Sequence, residues 1–142
     1  QAYCEARYKA VVRPNIEDGI TTARALRVHE SGVVLEPFTL HISTWSQDDY
    51  RYFWGSVIED LVARVMLLDG WAASNGSAYE CYKALKCGRH AFHGGTRLTA
   101  QEAGLEVRRQ ITALIPSHTP TEFLEKVASE LENLSLDARA TK

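Results

Sequence analysis

The chain has 142 residues, 45% apolar and 24% charged, a length and composition that suit one globular domain with a buried core rather than a disordered chain. Its formal net charge of −2 supplies no global basic field, so no nucleic-acid partner is expected. The best membrane candidate, residues 54–71, carries Glu59, Asp60 and Arg64 at its middle, each costing about 2.5–3.5 kcal/mol at a bilayer centre, so no transmembrane segment is expected either.

Apolar residues tend to alternate up to about residues 44–46 and recur every three or four positions thereafter. A period of two marks strands and one near 3.6 marks helices. The expected fold is a single α+β domain over 1–142. An N-terminal antiparallel β-meander of about three strands (1–45) packs against a bundle of about four helices (46–136), one long and central, with a frayed tail at 137–142.

Residues 3–12 alternate Cys4, Ala6, Tyr8 and Ala10 against Glu5, Arg7 and Lys9, as a half-buried strand does. Residues 13–19 read as a turn, punctuated by Pro14 and Asp18-Gly19. Residues 22–29 read as a second strand, although the Thr-Ala-Arg-Ala-Leu opening also suits a helix. Glu30-Ser-Gly32 is a tight turn before a third strand at 33–44, where Pro37 marks an edge or a bulge.

Ser46 followed by Asp48 and Asp49 is helix-start chemistry, because carboxylates favour the positive end of a helix. Tyr50, Phe53, Trp54, Val57, Ile58, Leu61, Val62, Val65, Met66 and Leu68 then share one face. This spacing predicts one continuous amphipathic helix over 50–68, closed by Gly70 or by Asn75-Gly76. A shorter helix over 77–92 turns Tyr82 and Leu85 inward and stops at Gly94-Gly95. Thr99 with Glu102 forms a capping box ahead of Ala103, Val107, Ile111 and Leu114. Thr119-Pro-Thr-Glu122 repeats that device, proline at the first helical position, ahead of Phe123, Leu124, Val127, Leu131 and Leu134.

Three cysteines are present: Cys4, Cys81 and Cys87. Cys81 and Cys87 stand six apart, about 240° around a helix, so a bond between them requires a broken helix. In an oxidising compartment Cys4 would pair with one of them, leaving the third thiol free or linked to a second chain. In a reducing one all three pack as small hydrophobes. Asn75-Gly-Ser77 and Asn133-Leu-Ser135 fit the glycosylation acceptor pattern.

The densest polar cluster runs from Lys86 to Arg97. Cys87, His90 and His93 stand as C-x2-H-x2-H, but structural zinc wants four ligands and no second pair is near in sequence. No cofactor is implied and no metal site is assigned. A Cys–His nucleophile would need spatial adjacency and a third orienting group. Gly94, Gly95 and Arg97 before the Thr99 helix form a candidate anion site, without the lysine and spacing of a phosphate loop. Of Trp45, Trp54 and Trp71, at least two read as core, and an exposed one would point to a partner.

The start at Gln1, the odd cysteine, the two sequons and the lack of a catalytic constellation lead to one reading: a secreted, non-catalytic interaction protein, toxin- or effector-like. It would act by binding a protein partner, disulfide-linked through the leftover thiol or not. The alternatives are a cytoplasmic or viral assembly module that forms homo-oligomers through a helical face, and a small thiol- or metal-dependent enzyme built on residues 81–97.

Overall fold

The computed structural model of the chain describes residues 13–140; the alternating segment at 3–12, with Cys4, lies outside them. The described residues form five α-helices and a three-stranded sheet, and divide at Thr44 and Trp45 into two compact units.

In the first unit, α1 spans Arg13–His29, where a turn and a strand are expected from the local pattern. Ile16, Gly19, Ile20, Ala23 and Leu26 carry the buried and half-buried positions, a stripe spaced by three and four. That stripe runs the length of the segment, whereas the alternation at 26–29 lasts only four residues. The longer pattern wins.

Residues 33–44 form no strand. Arg27 reaches forward from α1 and donates from Nε and Nη2 to the Val34 carbonyl, at 3.2 and 3.0 Å. The Glu36 carboxylate accepts from the Phe38 N–H at 2.7 Å and from the Thr39 hydroxyl at 2.7 Å, closing a turn around Pro37. The Phe38 ring lies directly over Gly19. An N-terminal three-strand meander is therefore absent from the described residues. Local side-chain hydrogen bonds have taken backbone groups that a ladder would need.

The second unit opens with α2, Gln47–Asp60, behind a complete capping box. The Ser46 hydroxyl accepts from the Asp49 N–H at 3.2 Å, while the Asp49 carboxylate accepts from the Ser46 N–H at 2.7 Å. The Ser46 hydroxyl, which also lies 2.7 Å from that carboxylate as a donor, and then the Ser46 N–H hold the Asp49 carboxyl below its ordinary pKa.

The continuous helix expected over 50–68 is broken. It ends at Asp60, and Arg64–Leu67 is strand β1. Two contacts fix the break. Arg89 donates from Nη2 to the Glu59 carbonyl at 2.7 Å, satisfying one of the orphan acceptors of the last turn. The backbone of 64–67 then pairs in parallel with 90–93, Arg64 opposite His90 and Leu67 opposite His93. Val65, Met66, Leu67 and Leu68 are apolar in a row, a run that fits a short buried strand as well as a helix. A partner strand more than twenty residues away decides between them.

A parallel pair needs a crossover, and the segment between β1 and β2 supplies it. A single 3-10 turn, Trp71–Ala73, leads into α3, Asn75–Lys86, capped by Ser74 through the Ser77 N–H at 3.4 Å. Asn75 and Gly76, expected as a terminator, begin this helix. The helix expected over 77–92 gives way after Lys86 to β2, His90–His93.

Gly94 and Gly95 take φ of 54° and 80° and close a hairpin to β3, Thr96–Leu98. Two successive positive φ values are the signature of a primed turn, and two glycines adopt it without a Cβ penalty. The sheet order is β1-β2-β3.

Thr99 and Glu102 form the expected capping box of α4, Ala100–Leu114, with the Thr99 N–H 2.8 Å from the carboxylate. After a 3-10 turn at Ile115–Ser117, α5 spans Glu122–Ala140. The second cap is shifted from its expected place. Thr121, not Thr119, precedes the helix; its carbonyl accepts from the Glu125 N–H and its hydroxyl donates to the Glu125 carboxylate, both at 2.9 Å. Residues 137–140, expected as frayed, continue α5.

The core gathers Leu67, Trp71, Ala78, Cys81, Ala91, Ala103, Val107, Leu124, Val127 and Leu131. Arg108 ties α4 to α5 by donating to the Glu132 carboxylate at 2.9 and 3.0 Å and to the Ser129 hydroxyl at 3.0 Å.

Leu131 is fully enclosed, whereas Leu136 on the same helix is 60% exposed. Leu131→Ala should cost about 2–5 kcal/mol by transfer and cavity formation, and Leu136→Ala about 0.5 kcal/mol or less. Urea midpoints of the two variants against the parent check this; equal shifts would contradict the packing described.

Candidate functional site

On α3, Ala78, Cys81 and Ala84 are fully buried, so the flank of the helix presents Tyr79, Tyr82, Lys83 and Lys86. Alongside, α5 presents Phe123, Lys126, Val127 and Glu130. Each set has the spacing i, i+3, i+4, i+7, which is one helix face. The two faces line an open groove of about 280 Å³.

The floor is aromatic. Tyr79 lies 6.3 Å from Tyr82 and 6.5 Å from Phe123 between ring centroids. A Cβ at Gly55 of α2 would sit 3.0 Å from the Tyr79 hydroxyl oxygen, so glycine there gives the phenol its room. The Arg51 guanidinium lies 4.5 Å from the Phe123 ring centroid and is steadied by Asp48. Such a cation over a ring face contributes about 0.5–2 kcal/mol according to its exposure.

Charge is distributed unevenly along the rim. Lys83 is committed to Glu59 at 2.6 Å, which raises the lysine pKa and lowers that of the carboxyl. Lys86 donates to the Tyr82 hydroxyl at 2.9 Å and lies 5.3 Å from the centre of the same ring. The phenol raises the Lys86 pKa. Tyr82 in turn donates to Glu130 at 3.2 Å. Lys126 is exposed and has no ion-pair partner among the described residues. Lys86 and Lys126 are thus the cations that the groove offers to a ligand.

A second aromatic cluster lies on α2. Trp45 packs against Tyr50 and Phe53 with centroids 5.1 and 5.3 Å away, and Trp45, Asp49, Tyr52, Phe53 and Ser56 line a shallow cleft. Tyr52 is 79% exposed. Trp71 is core, while Trp45 and Trp54 are half-buried.

The residues singled out from the sequence do not assemble. Cys87 ends α3, His90 starts β2 on the exposed side, and His93 stands at the far end of that strand. His93 Nε2 lies 2.9 Å from an Asp69 carboxylate oxygen, and its ring is edge-on to Trp71. Among the described residues no three His, Cys, Asp or Glu side chains converge as metal ligands would.

Gly94 and Gly95 form the hairpin turn, with Arg97 exposed in the middle of β3. The candidate anion site is therefore a strand connection rather than a helix entrance. Asn75 opens α3 and Asn133 lies within α5, so both sequons fall on helices and both asparagines are exposed.

Cys81 and Cys87 are free thiols, so neither forms the disulfide proposed for it with Cys4. Burial pushes the Cys81 thiol up to about 12, which leaves it protonated and inert at neutral pH. The groove, not the 81–97 cluster, is where the fold converges distinct chemistries, and its doubled i, i+3, i+4, i+7 spacing was its only signal in the sequence.

Beside it on α3, Glu80 is partly buried without a hydrogen-bond partner among the described residues, and desolvation lifts its carboxyl from 4.5 to about 7. Below pH 4.5 the group is neutral in both folded and unfolded chains. As pH rises towards 7 the unfolded chain ionises first, and stability is lost until the folded carboxyl also ionises. The full loss is roughly 3 kcal/mol. Glu80→Gln should flatten this slope and raise the urea midpoint at pH 8. An unchanged pH profile would contradict the burial of this carboxyl.

No protein family matches the chain, and neither does any curated protein or solved structure.

Proposed function

We propose that this chain is a non-catalytic binding module that holds a segment of a partner protein in the α3–α5 groove. The observation that carries the reading is the convergence of an aromatic floor (Tyr79, Tyr82, Phe123) with lysines at the rim, on two helices anchored by the same core. The groove's volume, about 280 Å³, lies at the low end for small-molecule sites and suits one or two anchoring side chains better than a cofactor. In this reading the groove residues, and not the free Cys81 and Cys87 thiols, make the contact with the partner. The proposal of secretion rests on the two sequons and the odd number of cysteines.

Selection of binders from a displayed random-peptide library tests the reading. Enriched peptides should shift the backbone amide resonances of residues lining the groove and leave those around Trp45 and Tyr52 in place. A selection that yields no binder, or shifts confined to other surfaces, would overturn it.

A second reading, self-association through a helical face, is favoured by the exposed Tyr52 ring beside Phe53 and Trp45 on α2. It predicts a sedimentation coefficient that rises with concentration and falls back in Tyr52→Ser. A concentration-independent monomer would remove it.

A further inference from the structure

Resting on the groove reading, we infer that the partner segment is acidic: an apolar side chain seats on the Tyr79–Phe123–Val127 floor, and flanking carboxylates meet Lys86 and Lys126 at the rim. Of the four charged side chains that line the groove, Lys83 is already paired with Glu59, and Glu130 keeps its charge while accepting from the Tyr82 hydroxyl, which itself accepts from Lys86.

Against that one carboxylate stand two cations that face an incoming ligand, the exposed Lys86 ammonium, with donors beyond the one given to Tyr82, and the exposed Lys126 ammonium one helix away. An ammonium has three donors, so each can take a carboxylate without surrendering a contact it already makes. The rim is thus positive on a chain whose net charge is −2. Charge complementarity across a wet rim contributes mainly to encounter rate and choice of partner, and apolar anchors in the floor supply residence.

A nucleic-acid strand fits less well. Among the groove's lining residues only Lys86 and Lys126 are cations without a carboxylate partner, too few to track a run of backbone phosphates.

Three end-blocked short peptides in which leucine alternates with glutamate, glutamine or lysine test this by fluorescence anisotropy on the full chain, with a single-stranded oligothymidylate as the fourth probe. At about 50 mM salt the glutamate peptide should bind about tenfold or more tighter than its glutamine analogue, and the gap should narrow at about 500 mM. In K86E/K126E, two surface changes whose fold is monitored by circular dichroism, preference should pass to the lysine peptide.

Equal binding of the glutamate and glutamine peptides overturns the acidic preference while leaving the groove reading standing. Binding unaltered in K86E/K126E shows that another surface is used, which overturns both. Failure of all three peptides to bind overturns the inference, and the groove reading then falls only if the library selection also fails. Oligothymidylate bound more tightly than any peptide reassigns the groove to a nucleic-acid strand.

Discussion

The arrangement of the second unit depends on the small-residue face of α3. Ala78, Cys81 and Ala84 are fully buried, and with side chains this small the helix can be approached closely by its neighbours. Elements α2, α4, α5, β1 and β2 all contact it. The crossover between β1 and β2 needs a helix lying on the sheet, and α3 is that helix. Enlarging any of the three positions would push strands, core and groove apart together. The groove is what the same helix shows on its other flank, where Tyr79 and Tyr82 are too large and too polar-tipped to enter the core.

What could be read ahead of the structure followed how local each signal is. The caps at Ser46 and Thr99 were visible because a hydroxyl and a carboxylate three residues apart complete their hydrogen bonds within one turn. Segment 61–68 is ambiguous in sequence because Val65, Met66, Leu67 and Leu68 satisfy two periods at once. The contacts that choose between them, with Arg89 and with residues 90–93, are distant in sequence.

The hairpin at Gly94-Gly95 leaves a trace in the sequence. Two glycines flanked by His-Ala-Phe-His and Thr-Arg-Leu are turn chemistry between strands, but strands of four and three residues show too little alternation to outweigh a helix running into them. In α1 the reverse holds, since a brief alternation at its end masked a longer helical stripe. The sequence pattern turns Tyr82, Phe123 and Val127 inward as core and does not separate a groove from it. Each helix face could be drawn from its spacing, whereas the pairing of α3 with α5 is a tertiary fact.

The proposal of binding draws on the groove's electrostatics. Catalysis asks for a group whose proton affinity or nucleophilicity is moved towards its task and aimed at a reacting atom. In the groove the shifts run the other way: Lys83 and Lys86 are held more firmly protonated, one by Glu59 and one by Tyr82. Cys81, the buried thiol of the same helix, is kept protonated by desolvation. Glu80 is moved towards neutrality, but it belongs to neither set of groove residues and has no hydrogen-bond partner among the described residues to orient it.

Firm protonation is what a recognition surface gains from these contacts. A lysine that hydrogen-bonds a phenol keeps its charge and loses rotamer freedom before a ligand arrives, so less entropy remains to be lost on binding. Arg51 over Phe123 does the same for the far end of the floor. The groove is therefore ordered by interactions made within the chain itself, using cations whose remaining donors point to the only charge type that would complete them. An anionic segment meets a surface already arranged for it, whereas a cationic one would face Lys86 and Lys126 with Glu130 as the one carboxylate in the lining.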